Sequence, residues 1–384
     1  MPGLTNIRKR FLIHIFILLL SIKGRSNFLN MSRIGEYSEK SYRLHFEQSF
    51  DFFTFNKHLI GQFCSDHRII AGDCSYIPKS GKHTPHIGKF WSGCASKACR
   101  GLEISSLAVV DIENNTAMQL DCRQTPGDLK DEASRVDFYL QQVVDKKDEL
   151  KELADYIAND GAYAKKKYVD GIVEQTDLHL ICKLRKDADL RYLYTGPKSR
   201  GKGRPKQYDG KMNCKNIDRS RFDLCHTDGE TSVYTSVVNS KSLKRNIRIA
   251  YVENMKTDSY AILFSTDTKL SGTLIYRYYK ARFQIEFLFR DAKQHTGLNH
   301  CQARSENKLN FHFNASLTTV SLAKTESIPG EFLTNRPFSM NDIKTLYFNK
   351  LFLKRFFEKS DIDQSCPKIA DAYNELINFG RIAA

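Results

Sequence analysis

No apolar run in this 384-residue sequence is long enough to cross a bilayer. The run Phe11–Ile22 holds twelve residues and includes His14, against the roughly 20 that a spanning helix needs. It follows Arg8-Lys9-Arg10 as the apolar part of a secretory signal would. Lys23, Gly24 and Arg25 nevertheless stand where a small-residue cleavage site belongs, so a buried helix is expected there. Disulfide scaffolding is also missing. The ten cysteines are scattered, and Cys94 and Cys99, with four residues between them, have no second short-spaced pair with which to build a tetrahedral zinc site. Reduced thiols and a reducing cytoplasm are expected. The 11 histidines contain no H-x3-H pair, no Ser/His/Asp arrangement stands out, and there is no internal repeat. Acids are in deficit, 44 against 59 Lys and Arg. The resulting net charge of +15 favours an anionic partner, of which nucleic acid is the commonest.

What is present suffices for two or three domains: 41% hydrophobic residues and 25 Phe argue against disorder. Residues 1–60 read as helical, with Arg25, Arg33, Lys40 and Arg43 among apolar side chains. They form either a small DNA-binding module or a cap on the next domain. From residue 61 to 194 the pattern becomes α/β. Arg68-Ile-Ile-Ala-Gly-Asp73 reads as a buried strand with an acid near its end. Leu102–Ile112 and Thr116–Arg123 form a hairpin around Glu113-Asn114-Asn115. Ser134–Ile157 has helical spacing, a short strand ends at Asp160 before Gly161 and a helix, and His179–Leu184 is another strand. In such an order, acids at the ends of different strands can meet at one rim of the sheet.

Residues 195–265 begin with a basic loop holding Lys198, Arg200, Lys202, Arg204, Lys206, Lys211 and Lys215. They continue as a mainly β insertion with strands near Ser232–Val238, Ile247–Val252 and Tyr260–Phe264. Residues 266–300 carry one long helix, Gly272 to about His295, and residues 301–384 are helical again.

The long helix is the most informative stretch. At about 100° per residue, Tyr279, Arg282, Glu286 and Lys293 project within roughly a 60° arc. A carboxylate flanked by cations stays ionised for a divalent metal, and the cations suit phosphates. An ordinary Arg–Glu surface pair would give the same local pattern.

Tyr279-x2-Arg282-x3-Glu286-x6-Lys293 resembles the YREK signature of one branch of bacterial insertion-sequence DDE transposases. Phe264-Ser-Thr-Asp267, Pro78-Lys-Ser-Gly-Lys82, Gly88-Lys-Phe-Trp91 and Gly101-Leu-Glu-Ile104 are similar to that family's segments too. The resemblance runs from about Arg25 to the C-terminus. It implies a ribonuclease H-like core, two Mg2+ ions (replaceable by Mn2+), double-stranded element ends and target DNA as partners, and a homodimer on the bacterial nucleoid. Carried over, Asp73 is the first acid and Glu286 the third. Asp160 is the second, with Asp155 and Asp170 as rivals, and Asp111 competes for the first role.

Paired hard cations sharing carboxylates suit in-line displacement at phosphorus, which needs no protein nucleophile. Lys79, Lys82 and Lys89 are further phosphate candidates. Trp91, the sole tryptophan, reads as a buried structural residue, with base stacking as the alternative. Gly203-Arg204-Pro205 resembles an AT-hook core that would put Arg204 in a minor groove. An inactive DNA-binding derivative, or a nuclease without strand transfer, are the competing readings.

Overall fold

The apolar run that imitates a secretory signal folds as a buried helix. A computed structural model of the chain describes residues 3–129, 132–197, 204–326, 338–360, 362 and 366–382. Helix α1 (Asn6–Ser21) starts at Thr5, whose hydroxyl accepts from the Arg8 N–H, and it fully buries Phe11 and Ile15. Arg8 is buried with them and donates to the carbonyls of His45 (2.7 Å) and Gln48 (3.0 Å). Three more helices follow: α2 (Phe28–Ile34), α3 (Glu39–Glu47) and α4 (Phe52–Phe63), capped by Asn27, Ser38 and Asp51. Among the described residues, no helix is long and apolar enough to cross a membrane. All ten cysteines are free thiols.

The mixed α/β body is built on one sheet of 12 strands. Strand β1 (Arg68–Pro78) is followed by β2 (Gly88–Ser92), β3 (Lys97–Asp111) and β4 (Thr116–Gln124). The β3–β4 hairpin turns at Asn115, whose φ of 47° is one that asparagine tolerates. Helices α5 (Glu132–Val144) and α6 (Lys147–Lys151) lead to β5 (Tyr156–Asn159). Then come α7 (Lys166–Gln175) and β6 (His179–Leu184). Strands β5 and β6 are parallel to β1, whereas β3 runs antiparallel to β1 and to β4.

The β region beyond residue 190 continues the same sheet. It comprises β7 (Leu190–Leu193), β8 (Tyr208–Lys211), β9 (Asp223–Thr227), β10 (Thr231–Ser240), β11 (Arg245–Asn254) and β12 (Ser259–Ser265). Strand β12 pairs with β6 (Phe264 opposite Cys182), so the insertion grows outward from the core strands. Lys198, Arg200, Lys202 and Gly203 lie outside the described residues.

The expected single long helix is two helices, α8 (Gly272–Ala281) and α9 (Gln284–Asp291), followed by a π-turn over Ala292–Thr296. Around Arg282 and Phe283 the dihedrals stay helical, but the hydrogen bonds tighten. Phe283, Ile285 and Glu286 N–H groups donate three residues back, to Lys280, Arg282 and Phe283. Helices α10 (Glu306–Thr325), α11 (Met340–Lys359) and α12 (Pro367–Asn378) complete the chain.

Side chains alternate across the sheet, so each strand feeds two apolar clusters. Ile69 and Ala71 of β1 join the cluster of α1, α8, α9 and α10, while Ile70 joins that of α5 and α7. Asp73 shares the parity of Ile69 and Ala71, which points it to the α9 side. Asp160, two beyond Ala158, has the same parity. Cys74 falls on the opposite side.

Candidate active site

Strands β1 and β5 are parallel and in register, with Gly72 opposite Asn159. Asp73 and Asp160 each follow one residue later, which brings both acids to the same rim. Asp160 ends its strand as the cap of a short 3-10 turn (Gly161–Tyr163), its carboxylate accepting the Ala162 N–H at 2.8 Å. The rivals lie elsewhere. Asp155 precedes β5 at the opposite end and pairs with Lys151. Asp170 sits on α7 between Lys166 and Arg245. Asp111 accepts from Ser65, Glu113 and Asn114, so every acceptor position is taken up in holding a turn.

Helix α9 brings Glu286 to the same rim, through Arg282. The Arg282 guanidinium is 3.2 Å from Glu286 Oε1 and 3.7 Å from Asp73 Oδ2. Its own side chain is 9% exposed, and its Nε and Nη1 have no hydrogen-bond partner. Burial opposes its charge, but Asp73, Tyr279, Glu286 and Asp160 outweigh that and hold its pKa above the ordinary arginine value. Tyr279 lies beside the guanidinium, 5.5 Å from ring centre to Cζ. Burial pushes its hydroxyl up to about 12.

Asp73 shows what the cluster lacks. Burial pushes its carboxyl up to about 7, Arg282 works against that, and the charges of Asp160 and Glu286 add to the rise. Burial therefore dominates, and each acidic neighbour alone adds less than Arg282 subtracts.

The domain family described as "Transposase DDE domain" matches residues 69–322, well over half of the chain. The chain belongs to the DDE transposases. The match contains Asp73, Asp160 and Glu286 and leaves α1–α4, α11 and α12 outside it. No curated protein matches the chain.

Divalent metals are the cofactors such enzymes use, and this transposase fits one in donor type and charge. Its three acids are hard oxygen donors, and a cation would favour the ionised form of Asp73 that burial disfavours. The acids are not a finished cage, because no group of three His, Cys, Asp or Glu among the described residues is spaced to hold an ion. Arg282 stands between Asp73 and Glu286.

The remaining basic candidates of the transposase divide into two groups. Lys79 is half-buried and donates to the Cys301 carbonyl at 2.5 Å, so it braces the loop after β1. Lys293 lies beyond the tightened turn, on the π-turn. Burial lowers its pKa, and the titratable group acting on it is the Cys94 thiol between β2 and β3. Lys82, Lys89 and Arg204 are exposed. Trp91 corrects a sequence expectation, being 63% exposed rather than buried. Phe90 takes the inward position of β2, fully buried under Arg135, and period-two alternation turns Lys89 and Trp91 outward together.

Asn159, Cys74 and Tyr163 adjoin the acids and were not singled out by sequence reasoning. The only signal for them was their adjacency to Asp73 and Asp160.

Proposed function

We propose that this transposase binds the ends of its own insertion element and catalyses metal-dependent DNA cleavage and strand transfer with Asp73, Asp160 and Glu286. One observation carries the reading: acids from β1, β5 and α9 gather at one rim around the buried Arg282. The strand order β4-β3-β1-β5-β6, with β1, β5 and β6 parallel, supports a ribonuclease H-like core. The YREK spacing supports the bacterial insertion-sequence branch.

Asp73, Asp160 and Glu286 would hold Mg2+, whose chemistry when bound is to activate water or a 3′-hydroxyl and to steady the departing oxygen. Arg282 would steady a phosphate beside the acids once its side chain shifts, because its Nε and Nη1 are buried here next to Tyr279. Lys82, Lys89 and Arg204 would bind DNA backbone, while Trp91 presents a face on which an unpaired base can stack. A homodimer bridging two ends on the nucleoid belongs to the same reading. The open spacing of the acids favours a second reading, a DNA-binding derivative that does not cut.

The deciding experiment incubates the chain with its flanking inverted-repeat DNA and Mg2+, beside Glu286→Gln. Nicked and joined products from the wild type alone are expected, with activity of the variant down at least 100-fold. Retarded DNA without products in both proteins would establish the second reading. Nicks without joining would mark a nuclease.

A further inference from the structure

The two aspartates are separated by a parallel strand pair, and the side chains just beside them tie that pair together. Asn159, 1% exposed, donates its Nδ2 to the Gly72 carbonyl at 2.8 Å. Gly72 and Asn159 are the residues immediately before Asp73 and Asp160. The contact needs glycine: a Cβ at residue 72 would stand 2.6 Å from Asn159 Nδ2. Tyr168 in turn donates to Asn159 Oδ1 at 3.3 Å and fixes the amide's orientation. On the far side of the acids, Cys74 Sγ meets the Tyr163 hydroxyl at 3.2 Å. That contact joins the residue after Asp73 to the 3-10 turn that Asp160 caps. From β6, the buried Cys182 thiol donates to the Asp160 carbonyl at 2.7 Å.

We infer that Asn159 and Tyr163 are positioning residues: they set the separation of Asp73 and Asp160, and with it the affinity of that pair for a divalent cation. This rests on reading the two aspartates as metal-holding acids. The bonds flank the acids in sequence, and none of them uses an acid's own carboxylate. An ordinary parallel ladder would not need a glycine with a buried amide filling its place. Nearby carboxylates repel, and a clamp on both sides keeps that repulsion from splaying the strand ends.

The test is a Mn2+ titration of the full chain without DNA, read by the electron paramagnetic resonance of free Mn2+, with circular dichroism and melting curves as fold controls. Asn159→Ala is expected to fold and to bind Mn2+ at least tenfold more weakly. Gly72→Ala should weaken binding similarly, since its methyl displaces the amide, and the double variant should be no worse than Asn159→Ala alone. Tyr163→Phe, which removes one hydroxyl, should lose about threefold and carries the test if Asn159→Ala does not fold. Asp73→Asn separates two kinds of failure. Binding lost in Asp73→Asn but unchanged in folded Asn159→Ala and Tyr163→Phe overturns the positioning role alone. Binding unchanged in Asp73→Asn as well overturns the reading of the rim as a metal centre.

Discussion

Asp73, midway along β1, and Asp111, at the end of β3, live in opposite electrostatic conditions. Asp111 accepts hydrogen bonds from Ser65, Glu113 and Asn114, which hold its pKa below the ordinary value despite burial. Asp73 is pushed up to about 7 by burial and its acidic neighbours. Asp111→Ala should therefore cost stability, about 2–4 kcal/mol in urea unfolding for a charged acceptor with several partners, and should leave Mn2+ binding intact. Asp73→Asn should do the reverse. Between the ordinary carboxylate value near 4 and about 7, the metal-free folded chain holds a proton on Asp73 that the unfolded chain has lost. Stability contributed by that proton falls as pH rises through the window. The variant is expected to flatten the decline and to melt about 2–4 °C above the wild type at pH 8 in chelator. A slope of melting temperature against pH that is identical in both would show that Asp73 carries no such strain.

Among the elements, alternation and turn chemistry made the core strands legible. The hairpin around Asn115, the short strand before Asp160 and His179–Leu184 stand where the pattern put them, whereas the strand from Arg68 runs on to Pro78 and leaves Asp73 at its middle rather than near its end. Strands β8 and β9, Tyr208–Lys211 and Asp223–Thr227, are short and polar, so ladder hydrogen bonds hold them without any apolar signature. The spacing of Tyr279, Arg282 and Glu286 survived because these residues fall before or within one tightened turn. Lys293 itself lies on a π-turn, which a period of 3.6 cannot anticipate.

Helix α10 shows a similar limit, since a lysine in an apolar stretch does not reveal its own burial. Lys324 is 6% exposed, donates to the Ala117 carbonyl at 2.8 Å, and is lowered to about 8 by burial. From pH 8 toward the ordinary lysine value the unfolded chain binds the proton that the folded chain has released, so stability rises with pH there. Lys324→Met should abolish that rise and stabilise the protein by roughly 1–3 kcal/mol at pH 7. Urea titrations at pH 7 and 9 read both effects, and a destabilised variant at pH 7 would refute the argument.

For the whole molecule, the question is whether the first 60 residues form a detachable module. Their contacts argue that they are locked to the C-terminal helices. Lys344 of α11 donates to the carbonyls of Leu19 and Ile22 at the end of α1, and Arg355 donates to the Ile34 carbonyl at the end of α2. Glu47 at the end of α3 receives Lys308 and Ser305 from the start of α10, and these bonds hold its pKa below the ordinary value. Thr318 of α10 donates to Asn56 of α4 at 3.1 Å inside the core. Phe11 packs among Tyr42, Phe46 and Phe311, so one aromatic cluster spans both ends of the chain. Neither end can bury its apolar face alone. A fragment of residues 1–63 is therefore expected to lack a cooperative melt, and residues 64–384 alone to be insoluble, whereas the intact chain unfolds in one urea transition. A dispersed amide NMR spectrum from residues 1–63 in isolation would show instead that the N-terminal helices fold by themselves, and the interlocked arrangement would have to be given up.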